Sequence, residues 1–337
     1  MEDSVRDVWL DCDPGHDDAL AIILAGYDEV LNLLGVSTVA GNQVVEKVTL
    51  NALGTLTASG LSSVDVVQGQ GRPLLRPPLL CPEIHGESGL EFAEGGSMQD
   101  YAIGSPVPGK AVNFMFERIS AQYKKRGQPV CLVCTGALTN AALLLLVYPE
   151  VIPMIEIVLM GGCIGTGNTH AVAEFNIQTD PEAAKVVFEA GVQNLAMVPL
   201  EVTHTALATP AVMQRMMQRQ TPFLQLMHKL LMFFAQTYKE VFSFEHPPLH
   251  DPLAVFFVAC PSAFTVRKMR VDIETCSALS AGQTVCDMWS QSQQPINATV
   301  AMTVDVDKFW DSMIAAILKA DMLSPLNVSI RDSLSTS

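Results

Sequence analysis

The 337-residue sequence has few basic residues, few aromatic residues and no long apolar run. Lys and Arg total 20 against 35 Asp and Glu, which gives a net charge of −15. This balance disfavours binding to nucleic acid or to an anionic membrane, and it favours metal cations and neutral small molecules as ligands. The longest apolar runs, such as Ala141–Val147 and Pro252–Ala259, fall well short of the ~18 residues that suggest a membrane span. Met1–Asp7 carries three acids and no apolar run, so we expect no secretory signal and a cytoplasmic protein.

Cysteine is present, but its distribution does not suggest a disulfide framework. Eight cysteines lie scattered among apolar neighbours, and in a cytoplasmic protein we expect them to be reduced, buried thiols. Cys131 and Cys134 form a C-x-x-C within a strand-like run, where residues three apart face opposite sides of a sheet. This spacing argues against a redox or zinc site.

Apolar strand-like runs alternate with helix-like segments along most of the chain. Hydrophobic residues make up 49% of the sequence, which is enough for a substantial core. The clearest helix lies between two strand-like runs, where Asp180 caps it, Pro181 opens it and Gly191 closes it. Alternation of this kind predicts a mostly parallel central sheet with helices on both faces. We therefore predict a single α/β domain over residues 1–323.

Three stretches interrupt this alternation. Residues 72–109 are rich in Pro and Gly, and residues 205–249 are predicted to form a helical insert. Long excursions in a compact enzyme often cover the active site, so we expect the insert to lie near it. The Ser-rich residues 324–337 are predicted to form a flexible tail.

Four carboxylates follow the first predicted strand within eight residues. Asp11 and Asp13 point the same way on a strand, and Asp17 and Asp18 fall in the first helical turn. Ligands of open parallel sheets bind beyond the carboxyl ends of the strands, where this segment lies. Mutual repulsion would be offset by a hard cation, and Ca²⁺ prefers carboxylate, carbonyl and water oxygens. In a simpler interpretation, Asp17 and Asp18 complement the helix dipole and Asp13 is a cap.

Seven short motifs follow one another in an order typical of a known family. They are Asp11-x-Asp13-Pro-Gly-x-Asp17-Asp18-Ala, Gly41-Asn42, Ile84-His85-Gly86-x-x-Gly89-Leu90, Thr135-Gly-Ala-Leu-Thr-Asn140, Met160-Gly161-Gly162, Glu174-Phe175-Asn176 and His250-Asp251-Pro252. By these motifs the sequence resembles the inosine–uridine preferring nucleoside hydrolase family, and it is most similar to the eukaryotic uridine nucleosidases within it. It departs from the family pattern at Ala137, where Pro is usual.

The resemblance implies calcium-dependent hydrolysis of the N-glycosidic bond of ribonucleosides such as uridine and inosine, giving ribose and free base. Calcium would be held by the carboxylates of Asp13, Asp18 and Asp251 and by the backbone carbonyl of Thr135. Asp13 would also act as the general base on the attacking water, and His250 as the acid for the leaving base. The residues that would contact the substrate are Asp17, Asn42, His85, Met160, Glu174, Asn176, Asp251 and, as a second proton donor, Tyr238. Because the family forms dimers and tetramers, we expect a homo-oligomer.

Two other functions stay open at this point. Asp11 and Asp13 also fit the D-x-D motif of phosphatases, but that motif wants Thr or Val at the position of Gly15. A catalytically silent protein could bind nucleoside or calcium without turnover, although the presence of both Asp13 and His250 argues against it. Taken singly, the motifs are weak, since Met160 alone suits a core and a His before Asp-Pro suits a turn.

Overall fold

The structure, a computed structural model, describes residues 5–328, which form ten strands and twelve α-helices. The strands are β1 (Arg6–Cys12), β2 (Leu31–Thr38), β3 (Val66–Gln68), β4 (Val130–Cys134), β5 (Ile155–Met160), β6 (Leu195–Val198), β7 (Phe264–Met269), β8 (Val271–Ile273), β9 (Thr284–Cys286) and β10 (Ala298–Val304). The helices are α1 (His16–Tyr27), α2 (Val45–Ser59), α3 (Pro82–His85), α4 (Ala111–Arg126), α5 (Thr139–Val147), α6 (Phe175–Thr179), α7 (Pro181–Glu189), α8 (Leu200–Thr203), α9 (Pro210–Met216), α10 (Pro222–Phe242), α11 (Asp251–Ala259) and α12 (Val306–Leu323). Short 3₁₀ helices occur at Met98–Tyr101, Pro149–Met154, Pro261–Ala263 and Pro325–Asn327. None of the helices in the described range combines the length and apolarity needed to cross a membrane.

Eight of these strands form one sheet, in the order β3-β2-β1-β4-β5-β6-β10-β7, over the described part of the chain. All neighbouring strands are parallel except β10 and β7. The chain runs outward from β1 to β3 and then returns to place β4 on the other side of β1. Ligands of open α/β sheets bind beyond the carboxyl ends of the strands at such a reversal. The predicted mostly parallel α/β fold is therefore confirmed, and its topology points to the ends of β1 and β4.

Helices cover both faces of the sheet and form a separate core on each. Helices α1, α11 and α12 pack together on one face, and α4, α5 and α7 on the other. Side chains of a strand alternate between the two cores, so Leu10 faces one and Trp9 the other. Cys131 and Cys134 likewise lie in different cores, and all eight cysteines, each within the described residues, are free thiols. The predicted separation of the C-x-x-C pair is confirmed.

The capping signals of α7 act as the sequence predicts. The Asp180 side chain accepts a hydrogen bond from the backbone N–H of Ala183 at 3.1 Å, and Pro181 is the first helical residue. Gly191 follows the last turn with a left-handed φ of 76°, a conformation that glycine adopts without steric cost. The same Asp180 also accepts from Leu74 N–H at 2.8 Å, which fixes one end of the excursion over residues 72–109.

The helical insert and the chain end pack more closely than the sequence indicates. Helix α10 of the insert is capped by Thr221, and the backbone N–H of Phe223 in its first turn donates to Asn327 Oδ1 at 3.2 Å. The predicted tail of residues 324–337 therefore begins too early, because Ser324 and Asn327 are buried and the Ser324 hydroxyl donates to the Ala58 carbonyl at 2.7 Å. Residues 329–337 of that tail lie outside the described residues.

A buried amide ties the carboxyl ends of the central strands together. Asn140 Nδ2 donates to Asp11 Oδ1 at 2.8 Å and to the Thr38 carbonyl at 2.9 Å. Its Oδ1 accepts the backbone N–H of Gln70 at 3.0 Å. One side chain on α5 thus fixes β1, β2 and the segment after β3 relative to the start of α5.

We expect Asn140→Ala to lower the free energy of unfolding by about 3 kcal/mol, because it removes three side-chain hydrogen bonds made by a fully buried amide. Urea denaturation measures the change. The matched control is Asn113→Ala, at an exposed position on α4, which should stay within ~0.5 kcal/mol of the parent. If the two variants lose equal stability, the amide does not have this structural role.

Candidate active site

A cluster of buried carboxylates lies where the sheet topology points. Asp13 follows β1 directly, and Asp17 and Asp18 lie in the first turn of α1. Asp251 begins α11. All four are at least 95% buried. Oxygens of Asp17, Asp18 and Asp251 lie within 4.8 Å of one another. Asn42 joins the fourth carboxylate to them, since its backbone N–H donates to Asp13 Oδ2 at 2.8 Å and its Nδ2 to Asp18 Oδ2 at 3.2 Å.

Two glycines enclose the carboxylate of Asp13. A Cβ atom at Gly41 would lie 2.1 Å from Asp13 Oδ2, and one at Gly136 would lie 2.4 Å from Oδ1. No larger residue fits at either position without displacing the carboxylate. Asp13 Oδ1 has no hydrogen-bond partner among the described residues, so the structure holds a buried acceptor in place and leaves it free.

Burial dominates the electrostatics of the cluster. It raises the pKa of Asp17 to about 7, with a further contribution from the charge of Asp18. Burial and neighbouring Asp residues also raise the pKa values of Asp13 and Asp251 well above their usual range. Several carboxylates in one buried site are ionised together only when a cation compensates their charge. The unpartnered oxygen and the all-oxygen donor set fit a hard divalent cation.

Thr135 brings the end of β4 into the same cluster. Its hydroxyl donates to Asp18 Oδ1 at 2.8 Å, and its backbone carbonyl accepts from Asn176 Nδ2, also at 2.8 Å. The closest carboxylate triad contains Asp17, whereas the sequence places Asp13 among the metal ligands and Asp17 among the substrate contacts. Asp13 is joined to Asp18 of this triad through Asn42, and the division of roles between Asp13 and Asp17 stays a prediction.

A pocket opens beside the carboxylates and collects the predicted site residues. Those that line it are Asp17, Asn42, His85, Thr135, Met160, Glu174, Asn176, Tyr238, His250 and Asp251. Asp13 and Asp18 are not in its lining, but Asn42 bonds to both. Residues separated by more than 230 positions in the sequence therefore meet at one site, because parallel strands end at the same edge of the sheet.

Glu174 and Asn176 are held by the short helix α6. Glu174 caps this helix, and its carboxylate accepts the backbone N–H of Asn176 at 2.9 Å and of Gly162 at 2.8 Å. Asn176 Nδ2 donates to the carbonyls of Thr135 and, at 3.1 Å, Met160. Burial raises the pKa of Glu174 to about 7. Both polar side chains are thus fixed against the ends of β4 and β5.

Another part of the pocket lining is aromatic and carries neutral histidines. Tyr238 Oη on α10 lies 2.7 Å from His250 Nε2. Burial lowers the pKa values of His250 and His85 well below the usual range, so both rings are neutral at neutral pH. His85 Nδ1 lies 3.1 Å from Nδ1 of His16, and the ring of Phe234 stacks on both histidines. The helical insert therefore reaches the site through α10, as predicted.

The pocket also contains residues that the sequence analysis does not identify. They are Cys81, Ile84, Asn168, Thr169, Phe175 and Phe242. Phe242 lies one helical turn after Tyr238, and residues four apart share one face of a helix. Helical periodicity therefore indicates that Phe242 faces the same pocket as Tyr238. Ile84 and Phe175 lie inside two of the sequence motifs, next to the polar residues that the motifs predict for the site. Asn168 and Thr169 follow a Gly-rich loop and carry no signal of their own.

Comparison with known proteins agrees with this geometry. The sequence profile of the inosine-uridine preferring nucleoside hydrolases matches residues 8–311. The chain belongs to this family. It is therefore a hydrolase of N-glycosidic bonds that acts on ribonucleosides, and the phosphatase alternative finds no support.

Proteins similar to this nucleoside hydrolase match it over nearly its whole length. A probable ribonucleoside hydrolase of Dictyostelium discoideum is 46% identical over 328 residues, which is 94% of this chain and 96% of that protein. A pyrimidine-specific ribonucleoside hydrolase of Shewanella woodyi is 40% identical and spans 93% of this chain and 98% of its own. The structure of a purine-preferring ribonucleoside hydrolase from Gardnerella vaginalis superposes with a TM-score of 0.84 at 27% identity, covering 94% of this chain and 100% of that one. These names differ in base preference, so the shared fold does not determine it.

We expect a chelator to lower the melting temperature of this nucleoside hydrolase, because a metal that binds only the folded state stabilises it by ~2.7 kcal/mol at a hundredfold excess over its Kd. Differential scanning fluorimetry with and without added divalent cation measures the shift. Asp18→Asn should abolish the shift, whereas Glu117→Gln, at an exposed position on α4, should keep it. A shift of equal size in both variants would place the cation elsewhere.

Proposed function

We propose that this nucleoside hydrolase is calcium-dependent and cleaves uridine, inosine and related ribonucleosides to ribose and free base. The observation that carries the proposal is that one pocket joins a buried carboxylate cluster to a neutral His–Tyr pair. Hydrolysis of an N-glycosidic bond needs both kinds of group, since one side must activate water and stabilise positive charge and the other must protonate the leaving base.

The metal ligands in this proposal are the carboxylates of Asp13, Asp18 and Asp251 and the backbone carbonyl of Thr135. A carbonyl has two lone pairs, so the Thr135 oxygen can serve a cation while it accepts from Asn176. When bound, calcium supplies the positive charge that positions the attacking water and makes it more acidic. Calcium suits this site because its donors are oxygen atoms of carboxylates and a carbonyl.

Asp13 is the proposed general base. Asn42 and the two neighbouring glycines hold its carboxylate in one orientation, and Oδ1 keeps a lone pair without a protein partner. This oxygen can take a proton from the attacking water without any rearrangement of the site. Such proton transfer typically contributes ~10²–10⁴-fold to the rate.

The ribose is proposed to lie between the carboxylate cluster and α6. Vicinal hydroxyls need acceptors and donors together, and Asp17, Asn42, Glu174 and Asn176 supply both along the pocket wall. Met160 packs beside them. As the bond breaks, the sugar gains positive charge, and fixed carboxylates that surround it stabilise that charge electrostatically.

The leaving base is proposed to face His85 and the pair formed by His250 and Tyr238. A purine or pyrimidine must accept a proton or depart as a stabilised anion. His250 is the predicted acid, and its 2.7 Å contact with Tyr238 makes the proton donor a pair of residues. Both purines and pyrimidines are proposed as leaving groups, with the purine depending more strongly on the pair.

We further propose that the enzyme acts as a homodimer or homotetramer in the cytoplasm. Exposed apolar side chains support association, since Trp289 is 82% and Leu279 81% exposed in the single chain. Free thiols at all eight cysteine positions, which lie in the described range, support a reducing compartment.

A release assay tests the proposed function. Uridine, inosine, cytidine, adenosine and guanosine are incubated with the protein in phosphate-free buffer, with and without a calcium chelator, and free base and ribose are quantified. We expect equal amounts of base and ribose, and loss of both with the chelator. Nucleoside binding without release from any substrate would favour the silent binding protein instead.

We expect Asp13→Asn to lower kcat by ~10²-fold or more, because the variant keeps the shape of the side chain but loses the base. Steady-state kinetics with uridine measures this, and circular dichroism confirms the fold. Glu189→Gln, at an exposed position that ends α7, is the control and should keep the parent rate. Near-parental turnover of Asp13→Asn would eliminate Asp13 as the base.

His250→Ala should reduce kcat for inosine more than kcat for uridine, by ~10-fold or more, because the purine depends more strongly on protonation of the leaving group. The ratio of the two kcat values is the readout, since a general loss of active protein cancels in it. Equal losses on the two substrates would show that His250 is not a purine-selective acid.

A further inference from the structure

A buried threonine contacts His250 on the side of the ring opposite to Tyr238. Thr203 Oγ1, at the end of α8, lies 2.7 Å from His250 Nδ1, while Tyr238 Oη lies 2.7 Å from Nε2. His250 and Tyr238 line the pocket, whereas Thr203 has no exposed surface and is not in the lining. Any effect of Thr203 on the reaction must therefore pass through His250.

We propose that Thr203 is a positioning residue that places the single ring proton of His250 on the pocket-facing Nε2 and so directs the proton supply toward the leaving base. This inference rests on the proposed function, because it concerns the pair of His250 and Tyr238 that is proposed to protonate the leaving base. Within that pair, Tyr238 delivers the proton and His250 supports it. It adds a residue that none of the sequence motifs contains.

The assignment follows from counting protons. A threonine hydroxyl has one proton to donate, and two acceptors lie near Thr203 Oγ1, namely His250 Nδ1 at 2.7 Å and the Leu200 carbonyl at 3.3 Å. The 2.7 Å distance is optimal for a hydroxyl donor, whereas 3.3 Å is long for one, so the proposal assigns the Thr203 proton to the bond with Nδ1. A neutral imidazole carries one N–H, and when Nδ1 accepts, the hydrogen is on Nε2.

In this arrangement the hydrogen bonds of the three side chains all run in one direction, from Thr203 toward the pocket. Thr203 donates to His250, Nε2–H donates to Tyr238 Oη, and the Tyr238 hydroxyl proton is left for the pocket. As the C–N bond breaks, its electron pair goes to the base nitrogen, which takes the Tyr238 proton. The negative charge left on Oη is then held by the Nε2–H of His250, and bulk water returns a proton after product release.

The opposite arrangement of hydrogen bonds would prevent His250 and Tyr238 from donating a proton to the leaving base. If Thr203 donated to Leu200, its oxygen would accept Nδ1–H, and Nε2 would have no hydrogen. Tyr238 would then donate inward to His250, and no proton would point at the leaving base. The position of one hydrogen atom, which Thr203 controls, therefore separates a productive pair from an unproductive one. Hydrogen bonds from behind a catalytic ring set its tautomer in this way in other enzymes.

Two substrates with different leaving groups test the proposal. Inosine needs a proton on its leaving base, whereas 4-nitrophenyl riboside releases a nitrophenolate that is stable without one. We expect Thr203→Val to lower kcat for inosine by ~10-fold or more and to keep kcat for 4-nitrophenyl riboside within about twofold. Thr203→Ser, which restores the hydroxyl, should recover most of the inosine rate.

The matched control is Thr205→Val. Thr205 lies two residues further along, and its hydroxyl donates to the Val202 carbonyl at 2.6 Å. The substitution removes the same atoms from the same segment, and we expect both substrates to react at the parent rate. Equal losses on both substrates in Thr203→Val, or no loss on inosine, would overturn the proposal. A parent enzyme that releases neither base nor nitrophenol would overturn the proposed function itself.

A spectroscopic measurement tests the same proposal without turnover. In histidine-labelled parent protein, the two-bond ¹H–¹⁵N spectrum distinguishes the two ring tautomers, and His250→Gln identifies the His250 signals by their loss. We expect the Nε2–H pattern for His250. The Nδ1–H pattern would overturn the proposal even if Thr203→Val failed to fold.

Discussion

The burial of several carboxylates at one edge of the sheet is the constraint on which the rest of the site depends. Asp13, Asp17, Asp18 and Asp251 are almost inaccessible to water, and their mutual repulsion opposes folding of this region. A protein keeps such a cluster only where another charge compensates it. A bound cation and a positively charged transition state are both charges of that kind, so the same cluster serves metal binding and catalysis in the proposed mechanism.

The scaffold around the cluster consists of neutral hydrogen-bonding groups. Asn140 holds strand ends together, Asn42 holds two of the carboxylates, and Asn176 holds the ends of β4 and β5. Amide side chains suit this task because each supplies donors and acceptors without adding charge. Burial keeps His250 neutral, so the proposed acid differs in charge from the carboxylates beside it.

Most of the predicted site residues line one pocket, because they lie at strand ends and in short motifs. Parallel strands that end together bring Asp13, Thr135 and Met160 to one edge of the sheet. Alternation indicates these strand ends, whereas the roles predicted for Thr135 and Met160 come from the resemblance to the family. Contacts that depend on side-chain direction across distant elements are not encoded in this way. The stacking of Phe234 on His16 and His85, the contact of Thr203 with His250 and the packing of Ser324 against α2 arise only when the helices are assembled.

In the proposed mechanism, one calcium ion in the carboxylate cluster is required for base release. The most direct test measures, on metal-stripped protein, the initial rate of uracil release and the calcium bound per chain at the same free calcium concentrations. We expect the rate and the calcium occupancy to rise together and to level off at one ion per chain. Full activity at negligible calcium occupancy would show that base release does not require calcium.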